Sequence, residues 1–266
     1  VIDSNFINTS ATGQYSKGGA IFDYEGSAVI INSKFTNITT HRGAAIYVNP
    51  HNVHNSSFAV IGSTFTNTHS SQNGGAIWGG SGEAENFTFI VADSTFNNTT
   101  AGQNGGAIYS AVTSDSFDVI NSTFNDNSAI KGASIYAGGV MNLEDSTFNS
   151  PNATGSAVIY INTGNVDLNN NSIESNLLAI YNGDGKITSP TTLTFPILTV
   201  EKGENATLSA TLTDDNGNII GSSTNVKGKV NGTSVNFKFN ETTRNFTAVY
   251  TKTANEGKYP ITGSYS

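Results

Sequence analysis

Four carboxylates are the first residues of this 266-residue chain whose types and spacing suit chemistry. Glu83 and Glu85 stand about one repeat length before Asp115 and Asp118, so a coiled chain gathers the four on one side. Several oxygen ligands in one place suit calcium, and paired carboxylates on a β-helix suit a pectin-lyase or polygalacturonase-type site. The opposing reading is scattered, solvated charge. A lyase also needs a base beside its carboxylates, and no Arg or Lys falls in these loops. Asp214 and Asp215 are a second calcium candidate, set against a plain turn. His41, His51, His54 and His69 all fall in expected loops. Zinc needs three or four convergent ligands, which spacing alone does not show. Cysteine is absent, which excludes disulfides, thiolate metal sites and thiol catalysis.

Aromatic residues form the other candidate. Phe22, Tyr47, Trp78, Tyr109, Tyr136, Tyr160 and Tyr181 each follow an Ile or Val-Ile step at repeat spacing. If each Ile points inward, the next residue points outward. Tyr47, Trp78, Tyr109 and Tyr136 are then ligand-binding candidates, offering ring faces to successive sugars or anchors to a protein partner. The alternative is a cross-strand aromatic ladder that stabilises the sheet.

The elements that must position these residues are repeats. A segment like DSTF, ending at Phe6, Phe35, Phe65, Phe96, Phe124, Phe148 and Ile173, recurs seven times at spacings of 24 to 31 residues. Each copy is followed by a GGAI-like segment carrying Ile21, Ile46, Ile77, Ile108, Ile135, Ile159 or Ile180. Such a period marks a solenoid. Five residues before each Phe stands an apolar residue (Val1, Ile30, Val60, Val91, Val119, Leu143, Leu168), and an inner strand face needs that alternation. Three before it come Asp3, Asn32, Gly62, Asp93, Asn121, Asp145 and Asn170, residue types that accept left-handed backbone at corners. The Asp members of this column sit whole repeats apart, so they read as turns and not as catalytic pairs. Three apolar columns separated by corners predict an all-β fold, a right-handed parallel β-helix of about seven rungs and roughly 30 Å in length. Its handedness comes with the fold class, not with the spacing. Gly19, Gly75 and Gly106 mark a corner where backbone passes close to backbone.

Composition agrees: charged residues are 12 %, the net charge is −8, and the only arginines are Arg42 and Arg244. No basic patch is available for nucleic acid. No apolar run approaches membrane-spanning length, and no signal peptide is present. The chain starts in mid-repeat at Val1, which reads as a fragment of a longer protein. Asn-x-Ser/Thr sequons, among them Asn8, Asn37, Asn86, Asn121, Asn205 and Asn245, are only slightly more frequent than composition gives; they are candidate N-glycosylation acceptors, with Asn121 and Asn170 in the corner column as structural alternatives.

After Tyr181 the pattern stops. The expected boundaries are a β-helix over 1–183, a linker over 184–190 and an immunoglobulin-like β-sandwich over 191–266, built from seven short strands starting with LTFPILTVE. Asp215-Asn216-Gly217-Asn218 signals a hairpin turn. The paired motifs, GGAI at 74–77 and 105–108 and Phe followed by Asn (Phe65 with Asn67, Phe124 with Asn127), resemble the repeats of chlamydial polymorphic membrane proteins. With NATLSATLTDDNGNII and GKYPITGSYS added, the whole chain looks still more like the adhesin-like surface proteins of gut methanogenic archaea. That resemblance implies an extracellular, cell-surface, non-enzymatic adhesin for glycans or proteins of partner cells, with the immunoglobulin-like unit as stalk and no cofactor beyond the calcium candidates. A polysaccharide lyase or hydrolase and a ligand-free spacer are the competing expectations.

Overall fold

A computed structural model of the chain describes residues 1–50, 54–80, 86–112 and 116–265. No helix occurs among them, so no helix is long and apolar enough to cross a membrane. The repeats fold as a β-solenoid of parallel, stacked strands. Its clearest face is a seven-stranded sheet from Asn5–Ile7 to Ser172–Ser175, so six turns separate its first and last strands. Phe6, Phe35, Phe65, Phe96, Phe124, Phe148 and Ile173 are in strict register across it. The six rings stack nearly parallel with centroids 4.6–4.9 Å apart. That distance is the spacing of paired strands, so one buried ring per rung fills the coil without a gap.

The other two apolar columns lie on a 13-stranded sheet. In the early rungs the Ile strand (Ile77–Gly79, for example) and the Val strand (Thr88–Ala92) are separate. In the sixth rung they merge into one strand, Ala157–Asn169, because no loop intervenes. A further short sheet, absent from the sequence reading, contains Thr39–Thr40, His69–Ser70 and Thr100–Ala101.

The corner column has the left-handed backbone its residue types suggest: φ is 48° at Asp3, 49° at Asn32, 60° at Gly62, 49° at Asp93 and 43° at Asn121. A second corner column follows the first five Phe residues, with φ of 57° at Asn8, 54° at Asn37, 53° at Asn67, 50° at Asn98 and 49° at Asp126. The close approach expected at Gly106 is present, since a Cβ there would lie 1.9 Å from the carbonyl oxygen of Ala133.

Inside the first corner runs a buried serine ladder. The Oγ of Ser33, Ser63, Ser94 and Ser122 donates to the carbonyl two residues earlier, at 2.7–3.0 Å. Each of these backbone N–H groups in turn donates to the serine Oγ one rung on, at 3.1–3.2 Å. A hydroxyl is buried here without cost because both its donor and its acceptor capacity are used.

The C-terminal unit closes the coil. Asp184–Ile187, placed in the expected linker, continue the strand Leu178–Ile187. Ile220–Ser222 then leaves the C-terminal unit and pairs with that strand in parallel, matching Ile180 to Ile220 and Asn182 to Ser222. Around this pair the Asn170 N–H donates to Asp215 Oδ2, and the Nδ2 groups of Asn216 and Asn218 donate to the Asn171 carbonyl. Arg244 donates to the carbonyls of Asn176 and Leu177. The remaining strands do not divide into the two sheets of the expected sandwich. They form one antiparallel sheet of six, curled to a near-barrel around Leu208, Val226, Phe237 and Phe246. The first of them stops at Thr194, two residues before Pro196, whose ring nitrogen has no hydrogen to give a ladder.

Candidate functional site

The aromatic file exists as one column on the Ile strands, in register from Phe22 to Tyr181. Its rings stack on one another. Centroid separations are 5.6 Å for Phe22–Tyr47, 4.3 Å for Tyr47–Trp78, 6.0 Å for Trp78–Tyr109 and 5.1 Å for Tyr109–Tyr136. Tyr136–Tyr160 and Tyr160–Tyr181 follow at 5.4 and 5.1 Å, and the edge of Phe239 closes the column against Tyr181. The column brings together all four ligand-binding candidates, Tyr47, Trp78, Tyr109 and Tyr136. Their flat faces are occupied by neighbouring rings, however, so only ring edges and phenol hydroxyls face outward. Tyr47 is buried; Trp78, Tyr109 and Tyr136 are half-buried. Lys17 and Lys131 lie over the Tyr47 and Tyr160 rings, each 4.9 Å from the centroid. Burial raises the phenol pKa at Tyr47, Tyr109 and Tyr181. Tyr136 is pushed up to about 12, by burial first and then by its neighbours Tyr109 and Tyr160.

The acidic candidates are not gathered in the described part. Glu83, Glu85 and Asp115 lie outside the described residues. Asp118 Oδ1 accepts from Ser116 Oγ and from Asn142 Nδ2, the latter at 2.7 Å one rung on. Among the described residues no three His, Cys, Asp or Glu side chains are placed to hold a metal. Asp214 serves the turn instead. Its carboxylate accepts from the N–H groups of Asn216 and Asn218 and from Asn218 Nδ2, at 2.8–3.1 Å. Burial raises its pKa, and those bonds partly oppose the rise. Asp215 is taken by Asn170. His41 Nδ1 is 2.9 Å from Ser71 Oγ and His69 Nδ1 is 2.8 Å from Thr100 Oγ1, each bond running to the next rung. His51 lies outside the described residues, and His54 is exposed.

The surface that sequence reasoning missed is the outer side of the Phe sheet. Residues flanking each Phe point away from it and stay in register: Thr64 and Thr66, Thr95 and Asn97, Thr123 and Asn125, Thr147 and Asn149. These eight uncharged side chains are half-buried or exposed. Their columns repeat at the rung spacing, with charge only beyond them at Lys34 and Glu174. Asparagine ladders flank the face. Asn37 Nδ2 donates to Asn8 Oδ1, Asn67 to Asn37 and Asn98 to Asn67, at 2.8–3.2 Å. Asn121 donates to Asp93 and Asn170 to Asp145, at 2.6 and 2.7 Å. Three of the sequon residues, Asn37, Asn86 and Asn121, therefore spend an Nδ2 hydrogen within the coil. The signal was legible as Thr before and Thr or Asn after the Phe. It carries no apolar periodicity, which is why the search for a core passed over it.

An apolar cavity of about 660 Å³ lies in the C-terminal unit, between the segment after Thr194 and the strand Ile261–Ser264, floored by Leu208, Val230 and Tyr250. With the fold and these surfaces described, comparison with known proteins adds no relative: no family model, curated protein or solved structure matches the chain.

Proposed function

We propose that this chain is a non-enzymatic, extracellular cell-surface adhesin that binds glycans or proteins of partner cells. Its coil is taken as right-handed, and its C-terminal unit, the curled six-stranded sheet, as a stalk module joined to the coil through Ile220–Ser222. The observation that carries the reading is the eight-residue face of five Thr and three Asn, which presents a Thr on each of four rungs beside a second Thr on the first and an Asn on the other three, Asn125 Nδ2 donating to Asn97 Oδ1 at 2.8 Å. Such a face offers both donors and acceptors, and its backbone is already fixed by the ladder, so little ordering entropy is lost on contact. Many weak, similar contacts add up to avidity on a cell bearing many copies.

A spacer without a ligand is the second reading, and it is favoured by the stacked ring faces of the aromatic column. Binding of the chain to a glycan array and to intact cells separates the two. The adhesin reading expects signal that falls at least tenfold when Thr95, Asn97, Thr123 and Asn125 are all changed to Ala. It expects little change when only Trp78 and Tyr109 are changed. No binding to any glycan or cell rejects the adhesin in favour of the spacer.

A further inference from the structure

The upper part of the aromatic column is four consecutive tyrosines, Tyr109, Tyr136, Tyr160 and Tyr181, one per rung. Their rings lie face to face at 5.1, 5.4 and 5.1 Å, with interplanar angles of 14°, 4° and 20°. All four are half-buried, so their edges and hydroxyls are open to a small oxidant. Stabilising a ladder asks only for aromatic rings, as Phe22 and Trp78 in the same column show. A run of phenols adds a reactivity that plain rings lack. We propose that these four residues form an oxidative cross-linking site, at which hydrogen peroxide acting through a peroxidase joins tyrosines of successive rungs as dityrosine.

The chemistry balances with hydrogen peroxide, delivered through the peroxidase, as the two-electron oxidant. Each of two neighbouring phenols gives up one electron and one proton, leaving two phenoxyl radicals. Their unpaired electrons pair to form one carbon–carbon bond between ring carbons ortho to the oxygens. The two ring hydrogens displaced at those carbons then move to oxygen and restore both phenols. Overall, two tyrosines and one hydrogen peroxide give one dityrosine and two waters, and the protein loses two hydrogens. Stacking favours the pairing step, because the p orbitals of the ring carbons point along the stack at one another. The in-register backbone also holds the second radical beside the first, so coupling within the molecule outruns encounter with another.

The consequence is a covalent staple between rungs in a chain with no cysteine. Tyr136 and Tyr160 are 24 positions apart, so their bond closes a loop of the length that a structural disulfide closes. Cross-linking then raises the unfolding midpoint by on the order of 10 °C.

The test treats the whole chain with peroxidase and hydrogen peroxide, then maps dityrosine by its fluorescence and by mass after digestion at Glu. Glu144 and Glu174 separate Tyr136, Tyr160 and Tyr181, so a Tyr136–Tyr160 or Tyr160–Tyr181 cross-link joins two otherwise separate peptides with a loss of two hydrogens, whereas a Tyr109–Tyr136 cross-link falls within one peptide. Tyr250 and Tyr259 are the internal comparison, since those rings are 6.1 Å apart but T-shaped. The double variant Tyr136→Phe, Tyr181→Phe keeps every ring in the stack and leaves no two phenols adjacent in this run. The expected result is Tyr136–Tyr160 and Tyr160–Tyr181 products in the wild-type monomer, with a raised midpoint, and neither in the variant. Coupling mainly at Tyr250–Tyr259, coupling only between molecules, or no dityrosine at all overturns the proposal. The wild-type map decides it even if the variant folds poorly.

Discussion

Replacing Phe96 with alanine removes a ring that is fully buried and stacked on two others, 4.8 Å from Phe65 on one side and 4.8 Å from Phe124 on the other. Both flanking rings are held by their own rungs, so the coil cannot collapse into the space. The cost therefore combines lost transfer energy with an unfilled cavity, about 4 kcal/mol. Phe6 provides the control, because it stacks on Phe35 and is only partly buried. Its replacement costs about 1–2 kcal/mol, since part of the ring is already in water. For a chain of this size 4 kcal/mol lowers the thermal midpoint by about 8–16 °C. Circular dichroism during heating and urea titration of both variants measures the difference. Equal losses at the two sites, or a loss below about 1 kcal/mol at Phe96, would refute the reasoning that one continuous ring stack carries the core.

Gly106→Ala forces a Cβ to within 1.9 Å of the Ala133 carbonyl, and a loss of about 1–3 kcal/mol is expected in the same denaturation assay. Absorbance titration of the phenols should show a step near 12 that disappears in Tyr136→Phe. The sign of its linkage follows: above pH 10 the unfolded phenol ionises while the folded one keeps its proton, so stability falls between about pH 10 and 12. Tyr136→Phe should lessen that fall. Because Ile220–Ser222 pairs with the last coil strand, Ile220→Ala should destabilise both units by about 2–4 kcal/mol. Near-ultraviolet and far-ultraviolet signals should then still melt together; separate transitions would show that the two units are not coupled.

Much of the coil was legible because its determinants repeat. Phe35 and Phe65 must stack, Ile46 and Ile77 must face inward, and Asn32 must turn left, so each copy states the same requirement again. The short strands Thr39–Thr40 and His69–Ser70 were not legible, since their inward residues, Thr40 and Ser70, are small and polar and leave no apolar column. The serine ladder repeats as plainly as the Phe column. It escaped notice because burial of a hydroxyl depends on partners one rung away, which spacing alone does not reveal. Ile220–Ser222 was illegible for a different reason. Its partner Ile180 lies forty residues back, and nothing local marks a strand that leaves its own sheet. The aromatic file was found, but stacking face to face, as opposed to offering faces to a ligand, depends on side-chain rotation that the order of residues does not set.

The most direct test of adhesion through a repeated face is the dissociation rate from a bound partner surface as the Thr/Asn pairs are changed to Ala one rung at a time. Starting at Thr95 and Asn97 and extending to Thr123 with Asn125 and Thr64 with Thr66, dissociation should quicken by a similar factor at each step while the fold is retained. A rate unchanged after all three steps, or complete loss at the first, would contradict binding through the repeated face.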